Sequence, residues 1–136
     1  MCQFGARVVQ QLLYEIEDEN FRAYVVWEPI LRTDNREAAV KATALIEDPR
    51  VTHYWTDSRD VGHLFSPSIA LENEPAWDVY LLYPAGNRWQ AEAPKPDYFQ
   101  HQLGGRLPPD QRLDGDALAD RTETLLEKLS RLEMSR

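Results

Sequence analysis

The alternation of helical and β-strand patterns along the chain constrains its fold more than any other feature of the sequence. Residues 4–16 carry apolar side chains at the i, i+3 and i+4 spacing of a helix with one buried face. Residues 23–27 are β-branched and aromatic, which predicts a buried central strand. Pro29 cannot donate a ladder hydrogen bond, so we expect this strand to end near Glu28.

The same alternation continues through the middle of the chain. Residues 35–47 predict a second helix, because Thr33, Asp34 and Asn35 are all good N-caps and Asp48-Pro49 closes the apolar pattern. Residues 51–55 then predict a short strand, and residues 61–65 are apolar enough for a turn or two of helix.

A hairpin is predicted in the second half of the chain. Residues 77–83 form the clearest strand pattern, and the turn cluster at 84–87 separates them from Trp89. The proline-rich stretch at 94–109 predicts an extended surface segment, with no strand of its own.

A terminal helix completes the order αβαβ(α)ββα. Asp114 or Asp116 can cap it. Its apolar stripe consists of Leu118, Leu125, Leu126, Leu129 and Leu132. Alternating helices and strands followed by a hairpin predict a single α/β domain over residues 1–136, with a mixed sheet and helices on both faces.

Composition excludes several classes of function. The net charge is −8, which argues against a nucleic-acid partner, and no apolar run is long enough to cross a membrane. A single cysteine cannot form an internal disulfide, so we expect a cytoplasmic protein. Motifs for phosphate loops, dinucleotide binding, serine hydrolysis and zinc proteolysis do not occur in the sequence.

Cys2 is the only cysteine, and it stands at the start of the first predicted helix. The partial positive charge at a helix N-terminus favours a thiolate over a thiol, so the position suggests redox chemistry. The alternative is a small apolar residue at a frayed terminus.

Three segments of the sequence carry a resemblance to a known family: residues 26–31 (VWEPIL), residues 48–55 (DPRVTHYW) and residues 76–83 (AWDVYLLY). With them the chain resembles a group of poorly characterised bacterial thioredoxin-like proteins. The resemblance implies a thioredoxin-like fold that lacks its first strand. It also implies that Cys2 is the second cysteine of a Cys-x-x-Cys motif whose first cysteine would lie three positions earlier.

The resemblance implies a thiol–disulfide oxidoreductase in which Cys2 resolves a mixed disulfide with a protein substrate, without a bound cofactor. Two alternatives stay open: a longer native form supplies the missing strand and the attacking thiol, or the protein begins at Met1 and has lost dithiol chemistry. In the second case the chain would be a non-catalytic protein-interaction module. Because an absent strand leaves an open sheet edge, we expect a homodimer in solution.

Asp78 is the second candidate site residue. Thioredoxin-like proteins carry a proline just before the hairpin strand, and the matching position of this chain falls near Asp78, whereas Pro75 comes three residues too early. The carboxylate could point at the thiol, where it could accept the thiol proton or could raise the thiol pKa by repulsion. Alternatively, Asp78 is a strand-start residue that binds nearby backbone N–H groups. The three histidines are scattered, so we expect them on the surface and predict no metal site.

Overall fold

A computed structural model of the chain describes residues 3–136, which contain both helices and strands. The helices are α1 (Gln3–Glu15), α2 (Arg36–Thr43), α3 (Asp60–Phe65) and α4 (Gly115–Met134). The strands are β1 (Ala23–Trp27), β2 (Val51–Trp55), β3 (Val79–Leu82) and β4 (Tyr98–His101). Short 3₁₀ turns cover Ser66–Ile69, Gly104–Arg106 and Pro109–Gln111.

The four strands form two separate two-stranded sheets. Strand β1 pairs with β2 in parallel, and Trp27 lies opposite Trp55. Strand β3 pairs with β4 antiparallel, and Val79 lies opposite His101. The sequence predicted one mixed sheet. The parallel pair and the hairpin are both present, but within residues 3–136 no strand joins them.

The hairpin differs from its prediction in the second strand. The partner of β3 is β4, which lies inside the proline-rich stretch predicted to be an extended surface segment. Trp89 instead belongs to the connecting loop, where its ring packs edge-on against Phe65 with the ring centroids 5.1 Å apart. The Tyr83 hydroxyl stabilises this loop, because it donates a hydrogen bond to the carbonyl of Pro94 at 2.9 Å.

Helix α1 packs against both sheets. Ala6 and Leu13 pack with the first sheet, while Leu12 and Ile16 pack with the second. The strand residues in these contacts are Ala23, Val25, Trp27 and Val51 of the first sheet and Tyr80, Leu82 and Tyr98 of the second. A single helix therefore connects the two sheets through opposite sides of its buried face.

The two sheets differ in how their faces are covered. The β3–β4 sheet is covered on both faces, because Val79, Leu81 and Phe99 pack against a second cluster built around Ile69 and Leu103. The β1–β2 sheet carries helices on one face.

The other face of the β1–β2 sheet exposes Tyr24, Val26 and Tyr54, which are 67%, 41% and 52% accessible. The expected cover on both faces is therefore wrong for this sheet. Strand β1 is also not the buried central strand that its composition predicted.

Two helix starts confirm their predicted caps. The side chain of Asn35 accepts from the N–H of Ala38 at 2.8 Å, and that of Asp114 accepts from the N–H of Ala117 at 3.0 Å. Helix α2 is shorter than predicted and ends at Thr43, because the chain tightens into a turn there.

Arg50 terminates helix α1 from a distant part of the sequence. Its guanidinium donates to the carbonyl of Leu13, in the last turn of the helix, and to the carbonyls of Ile16 and Asp18 in the segment that follows. The end of a helix leaves carbonyls such as that of Leu13 without a helical partner. Asp48 holds the same guanidinium at 2.7 Å. Hydrogen bonds from Arg50 to Asp48 lower the pKa of that carboxyl from 3.8 to about 2.

None of the described helices combines the length and the apolar character that crossing a bilayer would require.

Candidate functional site

The first turn of α1 lies directly against the start of the β3–β4 hairpin. Gly5 is buried there, and a Cβ at this position would overlap the phenol oxygen of Tyr80. The same Cβ would come within 3.1 Å of the Nε2 of Gln102. A glycine at position 5 is thus what lets the helix start approach these two polar side chains.

Tyr80 and Gln102 both bind the carboxylate of Asp78. The Tyr80 hydroxyl donates to Asp78 Oδ1 at 2.7 Å, and Gln102 Nε2 donates to the same oxygen at 2.8 Å. Gln102 Nε2 also lies 3.1 Å from the Tyr80 oxygen, to which it donates. We call these three residues the Asp78 cluster. Its hydrogen bonds fix the carboxylate beside the start of α1.

The backbone of Asp78 is in the left-handed region, with φ of 53°. A non-glycine residue there is uncommon and costs conformational energy. Strand β3 therefore begins at Val79, two residues later than predicted, while the Asp78 carbonyl still accepts from the N–H of Gln102 at 3.0 Å. Among residues 3–136, Oδ1 of Asp78 accepts from the side chains of Tyr80 and Gln102.

Cys2, the other predicted site residue, lies outside the described residues. The described chain begins with α1 at Gln3, and the first turn of that helix lies against Tyr80 and Gln102 of the Asp78 cluster. Gly5, Tyr80 and Gln102 were not predicted from the sequence as site residues. Tyr80 could have been found from the sequence, because residues i and i+2 of a strand share a face and Tyr80 lies two positions after Asp78. Gln102 could be found only once the position of β4 was known.

Glu28 is a second carboxyl group near this end of the sheets. It follows β1, as predicted, and its Oε1 accepts from the N–H of Gly62 at 2.8 Å. Burial raises the pKa of Glu28, although the hydrogen bond from Gly62 and the charge of His63 act in the opposite direction. The carbonyl of Gly62 in turn accepts from the N–H of Ala76 at 3.0 Å. Through Gly62, Glu28 therefore connects the end of β1 with the segment that leads into β3.

The prediction that all histidines lie on the surface is wrong for two of them. His101 is fully buried; its Nδ1 accepts from the N–H of Leu103 at 3.0 Å, and its Nε2 donates to the carbonyl of Pro108 at 2.8 Å. His53 Nδ1 accepts from the indole N–H of Trp27 at 3.1 Å. Both rings are structural. Only His63 is exposed. Across residues 3–136, no three potential metal ligands come together.

Two open grooves among the described residues lie away from the Asp78 cluster. The larger, of about 450 Å³, is formed at the opposite end of α1, where Glu15, Asp18, Glu123 and Glu127 make it acidic. The other is formed by residues 88–94 of the connecting loop.

Comparison of the chain with protein-family models, curated proteins and solved structures gives no match.

Proposed function

We propose that the protein carries out thiol–disulfide exchange, with Cys2 as the resolving thiol of a thioredoxin-like site. One observation supports this most: the first turn of α1, which begins at Gln3, lies against Tyr80 and Gln102, and these two side chains hold the carboxylate of Asp78 by two hydrogen bonds. A helix start favours the thiolate, and a fixed carboxylate beside it can accept the thiol proton.

The proposed step is a thiolate–disulfide substitution. The Cys2 thiolate attacks one sulfur of a disulfide, a new sulfur–sulfur bond forms to Cys2, and the old one breaks. The second sulfur leaves as a thiolate and takes up a proton. In a resolving role, the disulfide attacked is a mixed disulfide between a protein substrate and another cysteine. No electrons are exchanged with a bound cofactor.

Asp78 would act on the proton of the thiol. Its Oδ1 already accepts hydrogen bonds from Tyr80 and Gln102, so the oxygen is fixed in place before any reaction. Such positioning is what a general base requires, since proton transfer depends on reach and orientation. Gly5 is equally important, because its missing side chain brings the helix start to the carboxylate.

The proposal can be tested with glutathione disulfide as the oxidant. The protein is mixed with the disulfide across pH 5 to 10, folded and in urea, and the glutathione adduct is measured by mass spectrometry. An ordinary cysteine titrates at about 8.5. We expect the folded protein to react about threefold faster than the unfolded protein at pH 7. A thiol pKa lowered by about one unit raises the thiolate fraction about eightfold, and the lower basicity reduces the nucleophilicity of that thiolate about threefold.

Cys2→Ser is the control for this experiment. It should abolish the adduct and leave the far-ultraviolet spectrum and the thermal midpoint unchanged, since the residue precedes the first described helix. Equal rates in the folded and unfolded protein would contradict the proposal, as would a folded rate that is slower at every pH.

A further inference from the structure

The backbone of Asp78 is held in an unfavourable conformation by contacts on both sides of the residue. Its φ of 53° lies in the left-handed region, where a residue other than glycine persists only if the surrounding structure leaves it no alternative. On the C-terminal side the hairpin supplies the restraint. The Asp78 carbonyl accepts from the N–H of Gln102, and Oδ1 accepts from the side chains of Tyr80 and Gln102.

The restraint on the N-terminal side is at Ala76, two residues before Asp78. Ala76 is buried, and its N–H donates to the carbonyl of Gly62 in α3 at 3.0 Å. A Cβ on Gly62 would lie 2.6 Å from the carbonyl oxygen of Ala76 and 2.9 Å from the Cβ of Pro75. Helix α3 therefore lies directly against this segment. Because only Trp77 separates Ala76 from Asp78, the position of Gly62 limits the backbone angles that Asp78 can adopt.

Ser66 makes a second connection between α3 and the same segment. The residue is 4% exposed, and its hydroxyl oxygen lies 2.8 Å from the carbonyl of Gly62 and 2.6 Å from the carbonyl of Glu74. The hydroxyl proton can be donated to either carbonyl. Helix α3 and the segment before Asp78 are thus joined by two sets of hydrogen bonds, and both include Gly62.

Glu28 holds Gly62 from the opposite direction. The N–H of Gly62 donates to Oε1 of Glu28 at 2.8 Å, and a Cβ on Gly62 would lie 2.8 Å from Oε2. The Glu28 side chain is half-buried at the end of β1. Gly62 therefore uses its N–H for Glu28 and its carbonyl for Ala76. One residue carries the connection from β1 to the segment that enters Asp78.

We propose that Glu28 is a positioning residue for Asp78. Through Gly62 and Ala76 it keeps the Asp78 backbone in the conformation that brings the carboxylate to Tyr80, beside the first turn of α1. The consequence for chemistry rests on the proposed thiol exchange. The positioning itself is a property of the fold and can be measured without any reaction. Its requirement is the reach of the side chain, not its charge, because the contact is one oxygen that accepts from one N–H.

Three variants separate reach from charge. Glu28→Gln keeps an acceptor oxygen at the same distance, and burial raises the pKa of Glu28, so a neutral side chain is no more costly here. Glu28→Asp keeps the charge but is one methylene shorter. Arg59→Ala is the matched control. Its guanidinium donates to the carbonyls of Pro29 and Ile30 at 3.0 and 2.7 Å, so it connects α3 with the end of β1 without using Gly62.

Amide hydrogen exchange measures the position of Asp78. The N–H of Gln102 donates to the Asp78 carbonyl at the start of β3, whereas the N–H of Asp97 donates to the Leu82 carbonyl at the other end of the same hairpin. The ratio of the two exchange rates removes any general loss of stability. We expect Glu28→Asp to raise this ratio at least about fivefold, because only the start of β3 is released. Glu28→Gln should leave it unchanged.

Arg59→Ala should also leave the ratio of the Gln102 and Asp97 rates unchanged. Three results would overturn the role of Glu28: an unchanged ratio in Glu28→Asp, which includes equal acceleration of both amides, a ratio raised as much by Glu28→Gln as by Glu28→Asp, or a ratio raised as much by Arg59→Ala. The first would show that Glu28 contributes at most general stability. The second would show that its charge acts, and the third that any connection between β1 and α3 suffices.

The reaction of Cys2 with glutathione disulfide at pH 7 tests the consequence for chemistry. We expect Glu28→Asp to slow it about threefold, since a displaced proton acceptor loses part of its effect. Glu28→Gln should restore the rate. If the unaltered protein reacts no faster folded than unfolded, the proposed function fails, and the Gln102 amide still decides the role of Glu28. If the unaltered protein reacts as expected but Glu28→Asp changes neither the rate nor the amide ratio, only the role of Glu28 fails.

Discussion

The backbone of Gly5 lies so close to the phenol oxygen of Tyr80 that a Cβ on Gly5 would overlap it. This relationship couples two parts of the molecule that are far apart in sequence, the start of α1 and the start of β3. It also places the Asp78 cluster next to a helix N-terminus, where partial positive charge favours anions. Exchange of Gly5 for a larger residue should therefore affect both folding and the proposed chemistry.

We expect Gly5→Ala to destabilise the protein by about 1–3 kcal/mol, the usual cost of inserting an atom into a packed site. Alanine is the better helix former by about 1 kcal/mol, so the clash must outweigh a favourable contribution. Urea unfolding measures the change. Gly115→Ala is the matched control at the start of α4, where a Cβ would come 3.4 Å from Val8.

Tyr80→Phe tests whether the Tyr80 hydroxyl causes the destabilisation expected for Gly5→Ala. The double variant Gly5→Ala with Tyr80→Phe lacks the hydroxyl that the new Cβ would overlap, so it should recover part of the loss. Additive effects of the two substitutions would show that the Gly5–Tyr80 contact does not determine the cost.

The proposed role of Asp78 predicts a change in rate. Asp78→Asn keeps the size of the side chain but removes the proton acceptor, and we expect the exchange of Cys2 with glutathione disulfide at pH 7 to slow at least about tenfold. Asp57→Asn, in an exposed loop, is the control for a general loss of negative charge. If both variants behave alike, Asp78 acts through charge alone.

Local sequence patterns predicted the elements whose stability depends on their own residues. The caps at Asn35 and Asp114 are confirmed because each side chain binds an N–H only three residues away. Strands β1 and β2 were found from their composition. Strand β4 was missed because its position depends on pairing with β3, and the prolines around it dominate the local signal.

The candidate site was less predictable than the helices. Asp78 was identified, but its partner Gln102 comes from β4 and could not be placed without the correct hairpin. Burial of His101 likewise depends on the turn that brings the carbonyl of Pro108 to its ring. Such long-range contacts leave no periodic pattern in the sequence.

The exposure of the leucines along α4 predicts where the hydrophobic core ends. Leu118 is 2% exposed and Leu132 is 57% exposed, although both belong to the same predicted apolar stripe. We expect Leu118→Ala to destabilise by about 3 kcal/mol, as buried leucines do. Leu132→Ala should change the unfolding free energy by less than about 0.5 kcal/mol. A large loss from Leu132→Ala would point to a partner on this end of α4.

Arg50 should matter more to stability than its place in a loop suggests. Removing it leaves the carbonyls of Leu13 and Ile16 at the end of α1 without its hydrogen bonds. We expect Arg50→Ala to cost on the order of 2 kcal/mol, the scale of hydrogen bonds to a charged group. Lys41→Ala removes an exposed ion pair with Glu37 and should cost far less. Thermal unfolding of the two variants at pH 7 makes the comparison.

The partner of Arg50 predicts how stability depends on pH. Hydrogen bonds from Arg50 lower the pKa of Asp48 from 3.8 to about 2. A lowered pKa means that the folded state favours the carboxylate. The stabilisation is therefore complete above pH 3.8 and is lost as the pH falls towards 2. We expect Asp48→Asn to be less stable than the unaltered protein at pH 6, and the difference to shrink between pH 4 and pH 2. A difference that stays constant over this range would show that packing, not the charge of Asp48, stabilises the end of α1.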